Sequence, residues 1–260
     1  MSELIADFNN LSGFFTELFT RAASLYPGNA LPRHPAVLIH SSLSAFGTVA
    51  GGEGTVCAAL AQAAALRRVT LIMPAHSDDV PPAPFDKRST PCRSMGRIPE
   101  WFRAMPRVRR SDHPVLSFAA LGPASGRFAR GHRLSNGLGP SSPLGTLARE
   151  DAFILMLGTG WETCTALHLA EYPPDGSRPT ETVTCSASRV VRIGPVSLTF
   201  RETAPDAAFH TQKFPETGEF FETRHPESVF SGALPNGKWK LFRIRALLEA
   251  AAGKARGSES

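Results

Sequence analysis

His168 and Glu171 stand three residues apart in the stretch Thr165-Ala-Leu-His-Leu-Ala-Glu171. On a helix that spacing puts both side chains on one face. An imidazole beside a carboxylate is equipped for proton transfer. Its ordinary pKa of about 6.5 lies near neutral pH, and a carboxylate bonded to one ring nitrogen fixes the tautomer and favours the imidazolium as it forms. On spacing alone the same pair reads more readily as a hydrogen-bonded surface pair. Its setting argues for chemistry. Phe153 to Leu157 is a continuous apolar run that Gly158 and Gly160 end, and Pro173 and Pro174 stop the helical stretch that follows. A buried strand, a glycine turn and a short helix place the pair at the carboxyl end of a sheet, where open α/β folds bind ligands.

The elements that must position this pair alternate along the chain. Residues 1–30 have helical apolar spacing through Leu4, Phe8, Leu11, Phe15 and Phe19. Ala36–Ile39 is a strand that runs into His40-Ser-Ser-Leu43 and the glycine-bearing Gly47–Gly54. A helix is expected from Thr55 to Leu66, a strand at Val69–Met73, a helix from Ile98 to Met105 and a strand at Val115–Leu121. Between them, Ala75–Asp86 is a proline- and aspartate-rich loop, and Gly131–Pro143 is a glycine- and serine-rich one. Past Tyr172, the runs Thr182–Cys185, Arg189–Ile193 and Val196–Phe200 alternate as a half-exposed antiparallel sheet does. Trp239 to Ala251 reads as a basic amphipathic helix. The expected fold class is α/β, a central mixed sheet flanked by helices with a small β-rich C-terminal lobe. One domain is expected over 1–260, with a helical lead-in (1–30), an α/β core (31–173), the β-rich lobe (174–222) and a terminal helix and tail (223–260).

Composition excludes some classes. The hydrophobic share of 42% and charged share of 20% are those of a soluble globular chain. No apolar run approaches the ~20 residues of a membrane span, and residues 1–30 have no secretory pattern, so a cytoplasmic location is expected. Cys57, Cys92, Cys164 and Cys185 show no CxxC spacing, which speaks for reduced thiols and no metal site. The net charge of +5 invites an anionic partner, for which Arg107, Arg109 and Arg110 and the spaced Arg127, Arg130 and Arg133 are candidates.

Four segments in order, His40-Ser-Ser-Leu43, Arg110-Ser-Asp-His-Pro114, Asn136-Gly-Leu-Gly-Pro-Ser-Ser-Pro143 and Leu157-Gly-Thr-Gly-Trp-Glu-Thr-Cys-Thr-Ala-Leu-His-Leu-Ala-Glu171, resemble the aminoglycoside 3-N-acetyltransferase family. The resemblance spans roughly residues 36–245. Its short acidic loop looks like that of the branch that includes apramycin- and gentamicin-acting enzymes. It implies acetyl-coenzyme A as cosubstrate, with His40, Ser41, Ser42, Leu43, Met95, Gly96, Ser111, His113, Pro114, Ser117 and Phe118 near it. It implies an aminoglycoside acceptor, held by acids such as Asp86, which joins Ser77, Asp78, Asp79, Glu171 and Glu202 as substrate residues. By the same resemblance Glu202 is an acid beside the catalytic histidine. Relatives of the shorter branch carry a further acid where this chain has Ala204, with Asp206 the nearest substitute.

The chemistry follows from these types. An amine attacks a thioester only when neutral, so the site must remove a proton. His168 is the expected base, Glu202 its orienting acid and Glu171 the second choice for that role. Ser77 is a candidate donor to the oxyanion. Direct transfer is the simpler mechanism, because no Gly-x-Ser-x-Gly nucleophile motif is present. Two other readings stay open: transfer to a different amine, and a basic RNA-binding module. The latter lacks clustered stacking aromatics. A monomer or homodimer is expected, with no nucleic acid and no membrane partner.

Overall fold

The computed structural model describes residues 6–29, 31–78, 85–132, 137–172, 182–193, 196–205 and 207–255, and of 182–193, 196–205 and 207–212 it describes the backbone alone. The chain opens with helix α1 (Phe8–Arg21), capped by the Asp7 carboxylate, which accepts from the Asn10 N–H. Strand β1 (Ala36–Ser41), helix α2 (Gly52–Arg67) and strand β2 (Thr70–Pro74) follow. Then come α3 (Arg97–Ala104), β3 (Arg109–Arg110), β4 (Phe118–Leu121), α4 (Ser125–Ala129), α5 (Pro143–Arg149) and β5 (Phe153–Leu157). The last elements are β6 (Thr182–Ile193), β7 (Val196–Pro205), α6 (Ala207–Arg224), β8 (Val229–Leu234), β9 (Gly237–Arg243) and α7 (Ile244–Ala255).

Seven strands make one mixed sheet in the order β3-β4-β2-β1-β5-β9-β8. β1 is parallel to both β2 and β5, and every other pair in this sheet is antiparallel. The three parallel strands are the buried ones. β5, Phe-Ile-Leu-Met-Leu, is apolar at every position because both its faces are covered. Odd positions (Val37, Ile39, Leu71, Met73, Phe153, Leu155) pack under α1 and α2. Even positions (Leu38, Ile72, Ile154, Met156) pack with Phe118, Leu147, Leu167, Phe214 and Leu247 in a second core. The sheet is therefore the middle of three layers.

β1 feeds α2 and β2 on one side, while β5 lies on its other side. The strand order thus reverses between β1 and β5, the kind of switch point at whose carboxyl ends open α/β sheets bind ligands. The Ser42 N–H donates to Leu157 O at 2.8 Å across that point.

The fold departs from the sequence reading in four places. The stretch carrying His168 is 3₁₀, not α, in two pieces, Trp161–Thr163 and Thr165–Glu171. β4 starts at Phe118 rather than Val115, because the N–H groups of Val115 and Leu116 turn back to His113 Nδ1. Trp239–Arg243 is strand, not helix. Trp239 and Leu241 belong to one core and Phe242 to the other, a period of two hidden inside an apolar run. The stretch read as a β-rich lobe holds the two-stranded sheet β6-β7 followed by the helix α6.

Candidate active site

The site is built at the carboxyl ends of β1, β2 and β5, on the face of the second core. Gly158 makes the turn after β5. Its φ is +71°, and a Cβ there would lie 1.9 Å from Ala45 Cβ, so only glycine lets the turn pass under the loop after β1. The chain then tightens into 3₁₀ geometry, in which residues i and i+3 eclipse. His168 and Glu171 are such a pair. His168 Nδ1 lies 3.1 Å from each carboxylate oxygen of Glu171, and both side chains are largely buried. A carboxylate only accepts, so Nδ1 carries the proton and Nε2 keeps the lone pair. Phe214 of α6 meets the imidazole edge-on at 4.9 Å and fixes its plane. α6 reaches this place by crossing Trp161 at Gly218, where a Cβ would come within 2.0 Å of the indole.

Two more histidines join this face. His40, next to last in β1, is buried, and its Nε2 lies 3.5 Å from Thr165 Oγ1, tying the strand to the 3₁₀ segment. His76 follows β2 by two residues and packs edge-on against Phe118, 5.4 Å away. Burial pushes His40 down to about 4 and His76 to about 3, so both are neutral near pH 7. The sequence does not single out His76; only its place just past the end of a buried parallel strand marks it.

Among the buried polar atoms with no hydrogen-bond partner among the described residues are Ser41 Oγ at the last residue of β1, His76 Nε2 after β2 and Thr159 Oγ1 after β5. Buried polar groups are normally paired, and an orphan calls for a partner the protein does not itself supply.

The expected cosubstrate residues divide into two groups. Ser42 Oγ bonds Ser44 Oγ at 2.9 Å, and Leu43 opens the 3₁₀ turn Leu43–Phe46. Met95 and Gly96 lead into α3, and a Cβ on Gly96 would lie 3.9 Å from Ser41 O, so this bend borders the β1 end. Ser111, His113, Pro114, Ser117 and Phe118 are buried and hold the wall behind. His132 Nε2 donates to Gly137 O at 2.8 Å, so its Nδ1 accepts from Ser111 Oγ at 2.9 Å, and Ser111 Oγ in turn accepts the Phe118 N–H. His113 packs against His132 with the rings tilted and their centroids 4.9 Å apart.

Arg110 is the staple of that wall. Its guanidinium donates to Ser117 Oγ at 2.8 Å, Ala75 O at 2.5 Å, Ser77 Oγ at 2.6 Å and Thr90 O. Burial lowers it to about 10. Ser77, read from sequence as an oxyanion donor, spends its hydroxyl proton on Pro91 O at 2.6 Å while accepting from Arg110.

The expected acids are placed as follows. Asp78 is exposed and its Oδ1 accepts from Ser94 Oγ at 2.8 Å. Asp86 caps a turn: its Oδ1 accepts the N–H groups of Ser89 and Arg88 and the Ser89 hydroxyl, and these bonds hold its carboxyl below the usual range. Asp79 and Asp206 lie outside the described residues, as does the side chain of Glu202, whose backbone is in β7. Among the described residues the acid on His168 is Glu171, the second choice. Cys57, Cys92 and Cys164 are buried free thiols pushed up to about 12 by burial, poor nucleophiles near neutrality. No group of metal-ligating side chains is present among the described residues, and no helix among them is long and apolar enough to cross a membrane.

Comparison with known proteins places this fold. The profile of the family described as aminoglycoside 3-N-acetyltransferase matches residues 38–254. The SPbeta prophage-derived aminoglycoside N(3')-acetyltransferase-like protein YokD of Bacillus subtilis is 32% identical over 236 residues, 82% of this chain and 83% of that one. Its crystal structure superposes with a TM-score of 0.79 at 26% identity, covering 99% of this chain and 97% of that chain. Aminoglycoside N(3)-acetyltransferase IX of Micromonospora chalcea is 34% identical over 154 residues, 52% of this chain and 54% of that relative, so the match spans about half of its length. The structure of AAC-IIIb, a binary complex with CoASH, shares the fold with a TM-score of 0.77 at 21% identity, over 98% of this chain and 97% of that one.

Proposed function

The chain belongs to the aminoglycoside 3-N-acetyltransferase family, and from that premise we propose that it transfers the acetyl group of acetyl-coenzyme A to the 3-amino group of the 2-deoxystreptamine ring of an aminoglycoside, a modification that confers resistance. The observation that carries this reading is the His168–Glu171 pair, in which the carboxylate holds Nδ1 and leaves Nε2 as the ring's accepting nitrogen. His168 Nε2 takes a proton from the attacking amine as the new C–N bond forms. Glu171 stabilises the imidazolium that results. The tetrahedral carbon then expels the coenzyme A sulfur, which takes up a proton, and the amide is released. Ser41, His76 and Thr159 supply polar atoms to the cosubstrate or the developing oxyanion. Ser42, Leu43, Met95 and Gly96 border the cosubstrate's path, and Asp78 and Glu171 supply negative charge for a cationic acceptor.

A second reading keeps the transfer and changes the amine. Asp86 favours it, because the carboxylate oxygen expected to face an aminoglycoside already carries three internal hydrogen bonds. One assay separates the two: thiol release from acetyl-coenzyme A with gentamicin, apramycin and a panel of simple amines. Turnover with an aminoglycoside supports the first reading. Turnover confined to simple amines supports the second. No turnover with any of them by a folded protein defeats both.

A further inference from the structure

Helix α6 reaches His168 from far along the chain. Phe214, Gly218 and Phe221 fall at i, i+4 and i+7, so they share one face of it. Two of the three anchor the second half of the helix. Gly218 lies against the Trp161 indole, where only the missing Cβ leaves room. Phe221 is fully buried, edge-on to Trp161 at 6.2 Å and to Phe242 at 5.7 Å. Glu222 pairs with Lys240 of β9 at 2.5 Å and Glu216 with Lys254 of α7 at 2.6 Å, so the same half is tied to two further elements. Phe214 stands one turn before this anchored half. Its ring is buried and lies 4.9 Å from the His168 ring, with 72° between the planes. The next residue is Pro215, inside the helix. A proline there has no N–H to give the Thr211 carbonyl, and its ring crowds that carbonyl. Pro215 thus sets the direction in which the turn carrying Phe214 leaves the anchored half.

We propose that Phe214 and Pro215 form a positioning unit for His168, the proline aiming the phenylalanine ring and the ring holding the imidazole. The Glu171 carboxylate holds that imidazole at Nδ1 alone. A ring held at one atom can still rock about it. A flat side chain against the ring, brought by an element remote in sequence, removes that freedom. Phenylalanine suits the place because it offers no hydrogen bond, so Nδ1 stays with Glu171 and Nε2 is left for a substrate proton. Phe214 also fills the second core, but leucine would serve that end, and only a planar ring pairs with another ring in a fixed orientation. If His168 is the base of the transfer proposed above, on which this assignment rests, loss of the unit lowers turnover and spares cosubstrate affinity, since a misdirected base slows the chemical step.

Three variants of the full chain test this. Phe214→Leu removes the planar ring and keeps most of the apolar volume, and Pro215→Ala keeps both rings and restores the helix donor. Both are expected to fold, as read by circular dichroism and melting temperature. The kcat for acetylation is expected to fall about 10-fold in each, with KM for acetyl-coenzyme A within about 2-fold of the wild type. Phe214→Tyr, which keeps the ring, should recover most of kcat. Nitrogen–proton correlation spectra of the histidine side chains, with His168 assigned by its loss in His168→Ala, need no substrate. The wild type is expected to show one His168 tautomer, protonated at Nδ1, and Phe214→Leu and Pro215→Ala a mixture of the two. If the wild type acetylates no amine, the transfer reading fails and these spectra alone decide the positioning role. If the leucine protein does not fold, Pro215→Ala decides it. Unchanged His168 signals and kcat in either folded variant overturn the assignment, as does a raised KM for acetyl-coenzyme A with kcat unchanged.

Discussion

His168 Nδ1 sits at 3.1 Å from both carboxylate oxygens of Glu171, three residues along a 3₁₀ turn. An α-turn would offset these side chains around the helix, whereas the tighter turn stacks one above the other. The carboxylate thus receives the ring N–H centrally, and the orientation of the base is settled by local backbone geometry.

Replacing His168 with Ala should lower turnover by at least ~10²-fold, the usual contribution of a positioned general base, with acetyl-coenzyme A binding retained. Glu171→Gln should also slow the reaction, since the amide orients the ring less strictly than the carboxylate that accepts its N–H. Steady-state kinetics across pH measure both. A folded His168→Ala protein with near wild-type turnover would remove His168 as the base.

His76 should separate stability from activity. His76→Phe keeps a ring of similar size against Phe118 and removes a buried nitrogen that has no partner among the described residues. The melting temperature is expected to hold or rise, while kcat/KM falls. His76→Gln, which restores a polar side-chain end, should recover part of the loss. A Phe variant that is less stable and fully active would show that His76 only packs.

Acid should destabilise the fold from near neutrality rather than only in the carboxylate range. His40 and His132 are pushed down to about 4 and His76 to about 3, in each case chiefly by burial. Below the unfolded-chain pKa of about 6.5, the unfolded state binds protons that the folded state refuses, so stability is full above that value and is lost as pH falls toward the folded pKa values. Each such histidine contributes a slope of about 1.4 kcal/mol per pH unit inside the window. Urea unfolding at several pH values between neutrality and 4 measures it. A flat stability curve from neutrality down to the carboxylate range would contradict the burial of these rings.

Gly158→Ala should cost about 2–4 kcal/mol, from a positive φ together with overpacking against Ala45. Adding Ala45→Gly should recover the steric part and leave the backbone part. Denaturant midpoints of the two single variants and the double variant close this cycle. Additive losses in the double variant would mean that the turn moves instead of clashing.

Much of this protein is legible along the chain. The apolar runs of β1, β2 and β5 are continuous because those strands are covered on both faces, and the glycines and prolines beside them mark real turns. His168 and Glu171 are close because they are near in sequence, so short-range geometry alone can pair them. The order of the sheet is another matter. β9 and β8 return from the end of the chain to lie beside β5, and Trp239–Arg243 is a strand only because that neighbour offers its backbone groups. Position in the fold also decided what each polar residue does. Arg110 and Ser77 read as ligand-binding types, yet the wall between β2 and β4 spends their hydrogen bonds internally. His76 carries no sequence mark of its own. It gains its place because parallel strands set the ends of β1, β2 and β5 side by side, bringing Ser41, His76 and Thr159, far apart along the chain, to one sheet edge. Periodicity and turn chemistry act over a few residues and are written in the chain, whereas the meeting of distant strand ends exists only once the sheet has formed.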